Sequence, residues 1–324
     1  MHIGPITRTF AISGGLVVLL PFLVGSQSVS IEILVLALAV LGSNLLLGYT
    51  GLMSFAQGGF FGIGAYVAGL LRVHLDAGIA LTLLLPTIAG ALAAILVGLV
   101  AIRRHGIYFV MLTLAFAQLI YFLVFAFPGL TGGENGLQGV ARPSVVGFSI
   151  SSNLSLYILV ATLFVVVMCI LTHITRSPFG KVLVAIRENE KRAVASGYDA
   201  RLFKIAAFGI SGALAGLAGA LQALFLGLAS ISNVEILMSQ EILMMSIIGG
   251  AHSLYGAFVG AAFFTIVSNV LSAWWPRWLL ILGVLLIALV LYLPGGLAGA
   301  ARTLFKRGRE WRAERSLGAK EVAQ

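Results

Sequence analysis

Long apolar runs, separated by short polar breaks, make up most of this chain. A helix needs about 20 consecutive apolar residues to cross a bilayer, and most of these runs approach that length. The pattern predicts an all-α integral membrane protein, a polytopic bundle of about ten transmembrane helices with broken, glycine-rich segments. The predicted crossings are residues 10–25, 31–47, 48–71, 78–102, 107–127, 154–175, 202–228 and 278–293, with two more inside 241–272.

The eighth and ninth crossings are the least regular part of this pattern. They share residues 241–272, which are interrupted near 249–253, and residues 241–250 are too short to span a bilayer alone. The sequence is compatible with two segments that span the membrane or two that re-enter it. Residues 128–153 contain TGGENG and are rich in turn formers, which predicts a loop outside the membrane.

The composition agrees with a membrane protein. Hydrophobic residues make up 60% of the 324 residues and charged residues only 10%, whereas an average soluble domain carries about 25% charged residues. The apolar runs leave little chain for a soluble domain. We therefore predict one transmembrane domain, residues 1–301, which includes a polar loop at 176–204, and a basic tail, residues 302–324.

The basic residues concentrate in particular loops and in the tail of the chain. The formal net charge is +9, and Lys and Arg favour the cytoplasmic loops of membrane proteins. With ten crossings and both termini in the cytoplasm, all of the 20 basic residues except Arg72, Arg142 and Arg277 lie on the cytoplasmic face. This multi-pass topology explains the basic balance without a nucleic-acid partner.

Motifs of catalytic or metal chemistry are missing from the sequence. It contains no H-E-x-x-H and no G-x-S-x-G, and Cys169 is its only cysteine. The nearest approach to a phosphate-binding loop is Gly180 and Lys181, but Val182 follows where Ser or Thr is required. We therefore predict a protein that is not an enzyme, with no catalytic residue, metal or cofactor, and without a Walker loop for ATP.

The polar segment 176–204 lies between two apolar runs. Its bases and acids exclude it from a bilayer core. Ser177 predicts the start of a helix and Gly197 its left-handed end, and Glu188 can pair with Arg192 on the charged face. The segment is either a docking helix or an ordinary basic loop that fixes the topology. The opposite, small-residue face consists of Val182, Ala185, Ile186, Asn189, Ala193 and Ser196.

Two glycine-rich stretches resemble each other. Both read G-x-x-S followed by G-small-F-x-G, at residues 51–62 and 250–260. Interrupted apolar segments that recur in two halves of a transporter tend to line the substrate route. The alternative is that the glycines only allow close helix packing, as we expect for Gly212 and Gly216. The candidate pathway residues are Gly51, Ser54, Gln57, Gly58, Gly250, His252 and Ser253.

Several blocks of the chain together resemble one known family. SPFGKVLVAIRENEKRAVASGYDARLFKIAAF looks like the cytoplasmic loop of permease subunits of ATP-binding-cassette importers, whose signature is an acid, small residues and then a glycine. The closest resemblance is to the high-affinity branched-chain amino-acid permeases. It extends over NLLLGYTGLMSFAQGGFFGIGAY at 44–66, GIYFVMLTLAFAQ at 106–118, TGGENGL at 131–137 and LPGGLAGA at 293–300.

This resemblance implies a permease subunit of a bacterial inner membrane that forms the path for branched-chain or related apolar amino acids. As partners it implies a second, similar permease, two cytoplasmic ATPase subunits and a solute-binding protein. A short cytoplasmic helix of such permeases docks in a cleft of the ATPase. Two bases here separate Glu190 from Ala193, a departure from Glu-Ala-Ala. The candidate coupling residues are Arg187, Glu188, Glu190, Arg192, Ala193, Ala195 and Gly197.

Two alternative functions stay open. One is a permease for urea or short amides, because such permeases have similar sequences, and ligand binding by the solute-binding protein would decide between them. The other is a self-sufficient ion-coupled carrier, which would need buried acids sensitive to an ion gradient. The acids of this chain are not spaced like a relay across several spans. Glu241 and His252 are the polar residues near the spans that merit testing.

Overall fold

The computed structural model describes residues 5–142, 144–145, 148–149, 152–275, 277–293 and 295–300. The predicted basic tail, residues 302–324, lies outside them. The helices of the first half are α1 (Pro5–Val24), α2 (Gln27–Asn44), α3 (Gln57–Leu75), α4 (Ile79–Ala101), α5 (Ile107–Ala126) and α6 (Pro128–Thr131). Those of the second half are α7 (Asn153–Arg176), α8 (Pro178–Ala195), α9 (Ala200–Leu226), α10 (Ile236–Gly249), α11 (Leu254–Trp274) and α12 (Trp278–Tyr292).

The described part of the chain is a bundle of apolar helices. Seven helical segments are long and apolar enough to cross a membrane. Three shorter apolar helices accompany them: Thr9–Val24, Ile236–Gly249 and Trp278–Leu289. Together these segments match the predicted crossings one for one, so the prediction of an all-α polytopic membrane protein is confirmed.

Two short antiparallel ladders interrupt the otherwise helical structure. Strand β1 (Leu137–Gln138) pairs with β4 (Leu228–Ala229), and β2 (Ser144–Val145) pairs with β3 (Phe148–Ser149). The predicted turn-rich loop is therefore tied by hydrogen bonds to the chain that follows α9. Arg142 strengthens this attachment, because its guanidinium donates to a carbonyl in the last turn of α9, that of Phe225, at 3.2 Å.

Helix α2 lies at the centre of the bundle, packed against α7, α9 and α11. Nearly every residue from Ser30 to Asn44 is buried, which fits a helix that is apolar on all sides. Its last turn widens into a π-helix, Leu45–Thr50, that ends at Gly51 with a φ of 73°. Wide turns of this kind often mark functional positions in helices.

The backbones of helices α4 and α9 pack closely at two glycines of α9. A Cβ added at Gly216 would lie 2.5 Å from the carbonyl oxygen of Pro86, and one at Gly212 would lie 2.5 Å from that of Gly90. Such distances are far below van der Waals contact, so only glycine allows these backbones to approach. The expectation of close packing at Gly212 and Gly216 is confirmed.

The eighth crossing is only partly helical. Helix α9 ends at Gly227 with a φ of 73°, and β4 and a 3₁₀ turn, Ile231–Val234, precede α10. The 14 residues of α10 rise about 21 Å, which is less than the roughly 30 Å of a bilayer core. The helix begins at Ile236, earlier than the predicted start at residue 241, and residues 227–235 before it contain no α-helix.

Candidate functional site

Helix α8 lies across the ends of α7, α9 and the π-helical turn of α2. Phe203 of α9 stacks on Phe179 of α8, with ring centroids 5.5 Å apart, and meets Tyr198 edge-on at 6.0 Å. The apolar side of α8 is therefore buried against the bundle, which leaves its polar side outward. A small buried cluster joins the two helices and consists of Val182, Ile186, Ala193 and Ala200.

A kink at Asn189 divides α8 into two arms. Asn189 has a φ of −158° and a ψ of 96°, which lie outside the helical region. Its side-chain oxygen accepts from the backbone N–H of Arg192 at 3.0 Å, so Asn189 caps the second arm. The prediction of one continuous helix is therefore wrong. The kink lies between Glu188 and Arg192, so these residues are not one turn apart on a single helix, as the predicted pair requires. Ser177 also makes no side-chain cap bond, whereas Gly197 is left-handed as predicted, with a φ of 88°.

Arg187 connects the first arm of α8, residues 178–188, to the second crossing. Its guanidinium donates to the carbonyl of Gly48 in the π-helical turn. A Cβ added at Gly51 would lie 2.9 Å from the Cγ of Arg187, so the arginine stem packs directly on the end of that turn. The first arm is therefore attached to α2 by a charge-assisted hydrogen bond and a close contact.

Glu190 connects the second arm, residues 190–195, to the seventh crossing. Its carboxylate lies 2.6 Å from the Nζ of Lys204 and 3.7 Å from the Nδ1 of His105. The Lys204 side chain is 5% exposed, whereas that of Glu190 is 35% exposed. A buried ammonium group requires such a partner, so Glu190 is an internal anchor of α8 rather than a freely exposed charge.

The outward side of α8 carries a shallow groove of about 160 Å³ at the kink. Two of the predicted coupling residues, Glu188 and Arg192, line this groove, and two more, Ala195 and Gly197, are exposed next to it. The structure thus divides the predicted coupling set, since Arg187 and Glu190 face the bundle, and Ala193 is buried between the bundle and the groove. The groove is lined by Ala185, Glu188, Asn189, Arg192, Ala193, Ser196 and Tyr198.

The two glycine-rich stretches flank the same helix, α10. On one side a Cβ added at Gly58 of α3 would lie 2.7 Å from the Oγ of Ser239, and the Gly58 N–H donates to that oxygen at 2.8 Å. On the other side Gly256 of α11 lies against the backbone of Gly249. These glycines make close packing contacts, as the alternative interpretation expected, and they hold the partly helical crossing between α3 and α11.

A chain of polar contacts links α2, α3 and α9 inside the bundle. The Gln57 amide nitrogen donates to the Oγ of Ser211 at 2.8 Å, and that hydroxyl donates to the carbonyl of Gly42 at 2.8 Å. Gln57 is the first residue of α3, so the non-helical residues 51–56 lead from the end of the bundle at Gly51 to these contacts. Ser211 was not predicted, although a serine within a glycine-rich apolar helix is a signal of interhelical hydrogen bonding.

Asn44 attaches α2 to the turn between α10 and α11. Its amide nitrogen donates to the carbonyl of Ser253 at 3.1 Å, and its side-chain oxygen accepts from Ser246. His252 lies in this turn, and its side chain is exposed. The pKa of His252 is lower than usual, mainly because part of the ring is buried and also because the charge of Arg187 is nearby. The turn, the π-helical end of α2 and the first arm of α8 therefore meet at one end of the bundle.

The predicted pathway residues fall into two groups. Gly51, Gly250, His252 and Ser253 gather at the end of the bundle where Arg187 lies, whereas Gln57 and Gly58 lie deeper, between α9 and α10. Ser54 sits between the groups, buried, and its Oγ accepts from the N–H of Ala56 at 3.2 Å. Their role in transport stays a prediction.

Comparison with known proteins places the chain in a family. The family described as the permease component of branched-chain amino acid transport systems matches residues 27–291, most of the chain. The chain belongs to this family. No solved structure matches it at a significant level.

Two curated relatives of this permease family align with nearly all of the chain. The high-affinity branched-chain amino acid transport system permease protein LivM of Escherichia coli is 28% identical over 88% of this chain and 73% of its own length. LivM of Salmonella typhimurium is 27% identical over the same shares. A probable branched-chain amino acid permease LivM of Methanocaldococcus jannaschii is 25% identical over 50% of this chain and 52% of its own length. The resemblance seen in the sequence is therefore confirmed at the level of the family.

Proposed function

We propose that this permease is a subunit of an ATP-binding-cassette importer and forms the path for branched-chain or related apolar amino acids. The observation that carries the proposal is α8, a polar helix that offers a groove outward and is anchored inward at two points. Such a helix suits a protein that receives mechanical force from a partner. Family membership and the names of the LivM relatives support the choice of substrate.

The proposed partners are a second permease, two cytoplasmic ATPase subunits and a solute-binding protein. With α8 in the cytoplasm, both termini lie on that side of a bacterial inner membrane. The groove at the kink, with Glu188 and Arg192 on its rim, would receive a surface of the ATPase, and its charges would set the register of docking.

The two arms of α8 contact different helices of the bundle, and these contacts determine which helices a movement of α8 would displace. The first arm is tied to α2 through Arg187 and the second arm to α9 through Glu190. A change of angle at Asn189 would therefore displace α2 relative to α9. Ser211 bridges these two helices through the Gly42 carbonyl and holds Gln57, so this contact would be the first to change inside the membrane.

The substrate route is proposed to run past the interrupted segments 51–56 and 227–235, where backbone groups depart from helical pairing. Gly51, Ser54, Gln57, Gly58, Gly250, His252 and Ser253 are the candidate lining residues, now divided into an outer and a deeper group. Urea and short amides are the alternative substrates, and the uptake assay with the reconstituted complex compares urea with leucine.

Reconstitution tests the function. We expect the chain purified alone to show neither ATPase activity nor uptake in proteoliposomes, and the complex purified from native membrane to take up radiolabelled leucine only with ATP inside. An ATPase subunit and a second permease should co-purify. Uphill uptake by the chain alone, or uptake by the complex that collapses on addition of an uncoupler while ATP is held constant, would contradict the proposal. Uptake of urea but not of leucine would contradict the substrate.

A further inference from the structure

A polar cavity of about 250 Å³ lies between α2, α10, α11 and the start of α12. Glu32 of α2 and Glu241 of α10 both line it, although 209 positions separate them in the sequence. Neither carboxylate has a basic partner among the ion pairs of the described residues. Acids inside transmembrane segments are costly and commonly mark functional sites.

The α11 wall of the cavity presents several hydrogen-bond acceptors. The hydroxyls of Ser268 and Ser272 already donate to carbonyls of their own helix, at 3.0 Å and 3.1 Å. The amide nitrogen of Asn269 likewise donates to the Thr265 carbonyl at 2.9 Å. The hydroxyl hydrogens of Ser268 and Ser272 are thereby used, so these two oxygens can only accept, and the amide oxygen of Asn269 is a third acceptor beside the one N–H that Asn269 keeps. The excess of acceptor oxygens favours a positive guest.

Thr265 points to a ligand independently of the acids. Its side chain is 1% exposed, lines the cavity, and its hydroxyl has no hydrogen-bond partner. A buried hydroxyl without a partner costs free energy, and a guest in the cavity would satisfy it. Trp278 closes one side, and the face of an indole attracts cations.

The lining residues within the described part of the chain include no Lys, Arg or His. Two carboxylates, several acceptor oxygens and an aromatic ring therefore share a small space with no positive charge to offset them. In surroundings of low dielectric constant two ionised carboxylates are unfavourable here, and either a proton on one of them or a guest cation relieves this cost.

We propose that this cavity binds one compact positive charge, either a monovalent metal ion or the primary ammonium group of an amino acid. Glu241 and Glu32 supply the countercharge, Thr265 and the acceptors of α11 supply the remaining ligands, and Trp278 covers the site. The volume is below the roughly 300 Å³ at which drug-sized pockets begin, which suits a partly hydrated ion or a small amine.

Trp278 provides the readout for a test that needs neither ATP nor transport. In the full chain in lipid nanodiscs, Trp274, Trp275 and Trp311 are each replaced by Phe, so that Trp278 remains as the fluorophore. NaCl, KCl, isobutylammonium chloride or leucine is titrated at constant ionic strength, with N-methyl-D-glucamine chloride as the bulky reference. We expect a saturable fluorescence change relative to N-methyl-D-glucamine.

The titrations distinguish the two sources of charge. A response to Na⁺ or K⁺ but not to the amines assigns a metal-ion site, and a response to isobutylammonium or leucine assigns an ammonium site. No saturable response to any of them overturns the proposal. Because the measurement does not involve uptake, its failure leaves the proposed import function untouched, and failure of import leaves the site untouched.

Three variants check that the response comes from this cavity. Glu241→Gln is expected to weaken binding at least about tenfold, since it removes a charge-assisted contact. Thr265→Val keeps the shape and removes a hydroxyl that has no partner, so it should fold normally and still weaken binding. Glu134→Gln removes an exposed carboxylate in a loop and should bind as the parent does. Equal affinity in all four proteins would refute the assignment.

Discussion

The Nζ of Lys204 lies 2.6 Å from the Oε1 of Glu190, and the lysine is the buried member of this pair. Lys204 belongs to the first turns of α9 and Glu190 begins the second arm of α8. The pair therefore fixes the angle between a surface helix and a membrane-spanning helix. Lys204 is buried whereas Glu190 is partly exposed, so we expect the two single substitutions to lower the free energy of unfolding by different amounts.

Glu190→Gln is expected to destabilise the protein by about 2 kcal/mol, because it leaves a buried ammonium group without a countercharge. Lys204→Met should cost less, since the half-exposed carboxylate that remains is solvated. The measurement is the thermal unfolding midpoint of the purified chain in nanodiscs. The double variant should recover most of the loss of Glu190→Gln. Equal effects of the two single substitutions would show that the pair is not buried as described.

Arg187→Met is expected to separate ATP hydrolysis from uptake. The substitution removes the hydrogen bond to Gly48 but leaves the outward groove of α8 in place. The partner should still dock and hydrolyse ATP, while the substrate transported per ATP should fall several-fold. The measurement is that ratio in proteoliposomes of the assembled complex.

Lys181→Met is the matched control, because Lys181 is an exposed base on the same arm of α8. It should leave the ratio unchanged. A ratio for Arg187→Met that matches the control would rule out the first arm as the element that moves α2.

The sidedness of α8 can be read with a single introduced thiol. Cys169 is the only native cysteine, so Cys169→Ser gives a cysteine-free background. Ser196→Cys and Glu134→Cys then place exposed thiols at opposite ends of the bundle. In intact cells an impermeant maleimide should label the thiol at position 134 and should label the one at 196 only after permeabilisation. The reverse pattern would invert the topology and remove α8 from the reach of a cytoplasmic ATPase.

Hydropathy was sufficient to locate the crossings, because a span must be long and apolar whatever it packs against. The charges of the polar segment predicted a helix outside the membrane, and its predicted start at Ser177 agrees with the observed start of α8, although Ser177 makes no side-chain cap bond. The prediction missed the kink, although Asn189 is a helix-capping residue type within a helix, and its side chain offers the backbone a local alternative to helical pairing.

Contacts between distant segments could not be predicted from local pattern. Lys204 and Glu190 meet because the chain reverses at Gly197, and Glu32 meets Glu241 only because α2 occupies the centre of the bundle. A search for regularly spaced acids could not find the Glu32–Glu241 pair, because no local sequence pattern near either residue indicates a contact with the other. The close approaches of Gly58 and Gly256 to α10 similarly depend on the global arrangement.

The short last crossing has a consequence for the lipid around the protein. The 15 residues of α12 rise about 22 Å, several ångströms less than the acyl region of an average bilayer, and many of its leucines face outward. Lipids that border α12 must therefore compress to match it, which costs a fraction of a kcal/mol per ångström of mismatch. Reconstituted transport should accordingly be sensitive to chain length, and phospholipids with shorter acyl chains should suit this protein better than long ones.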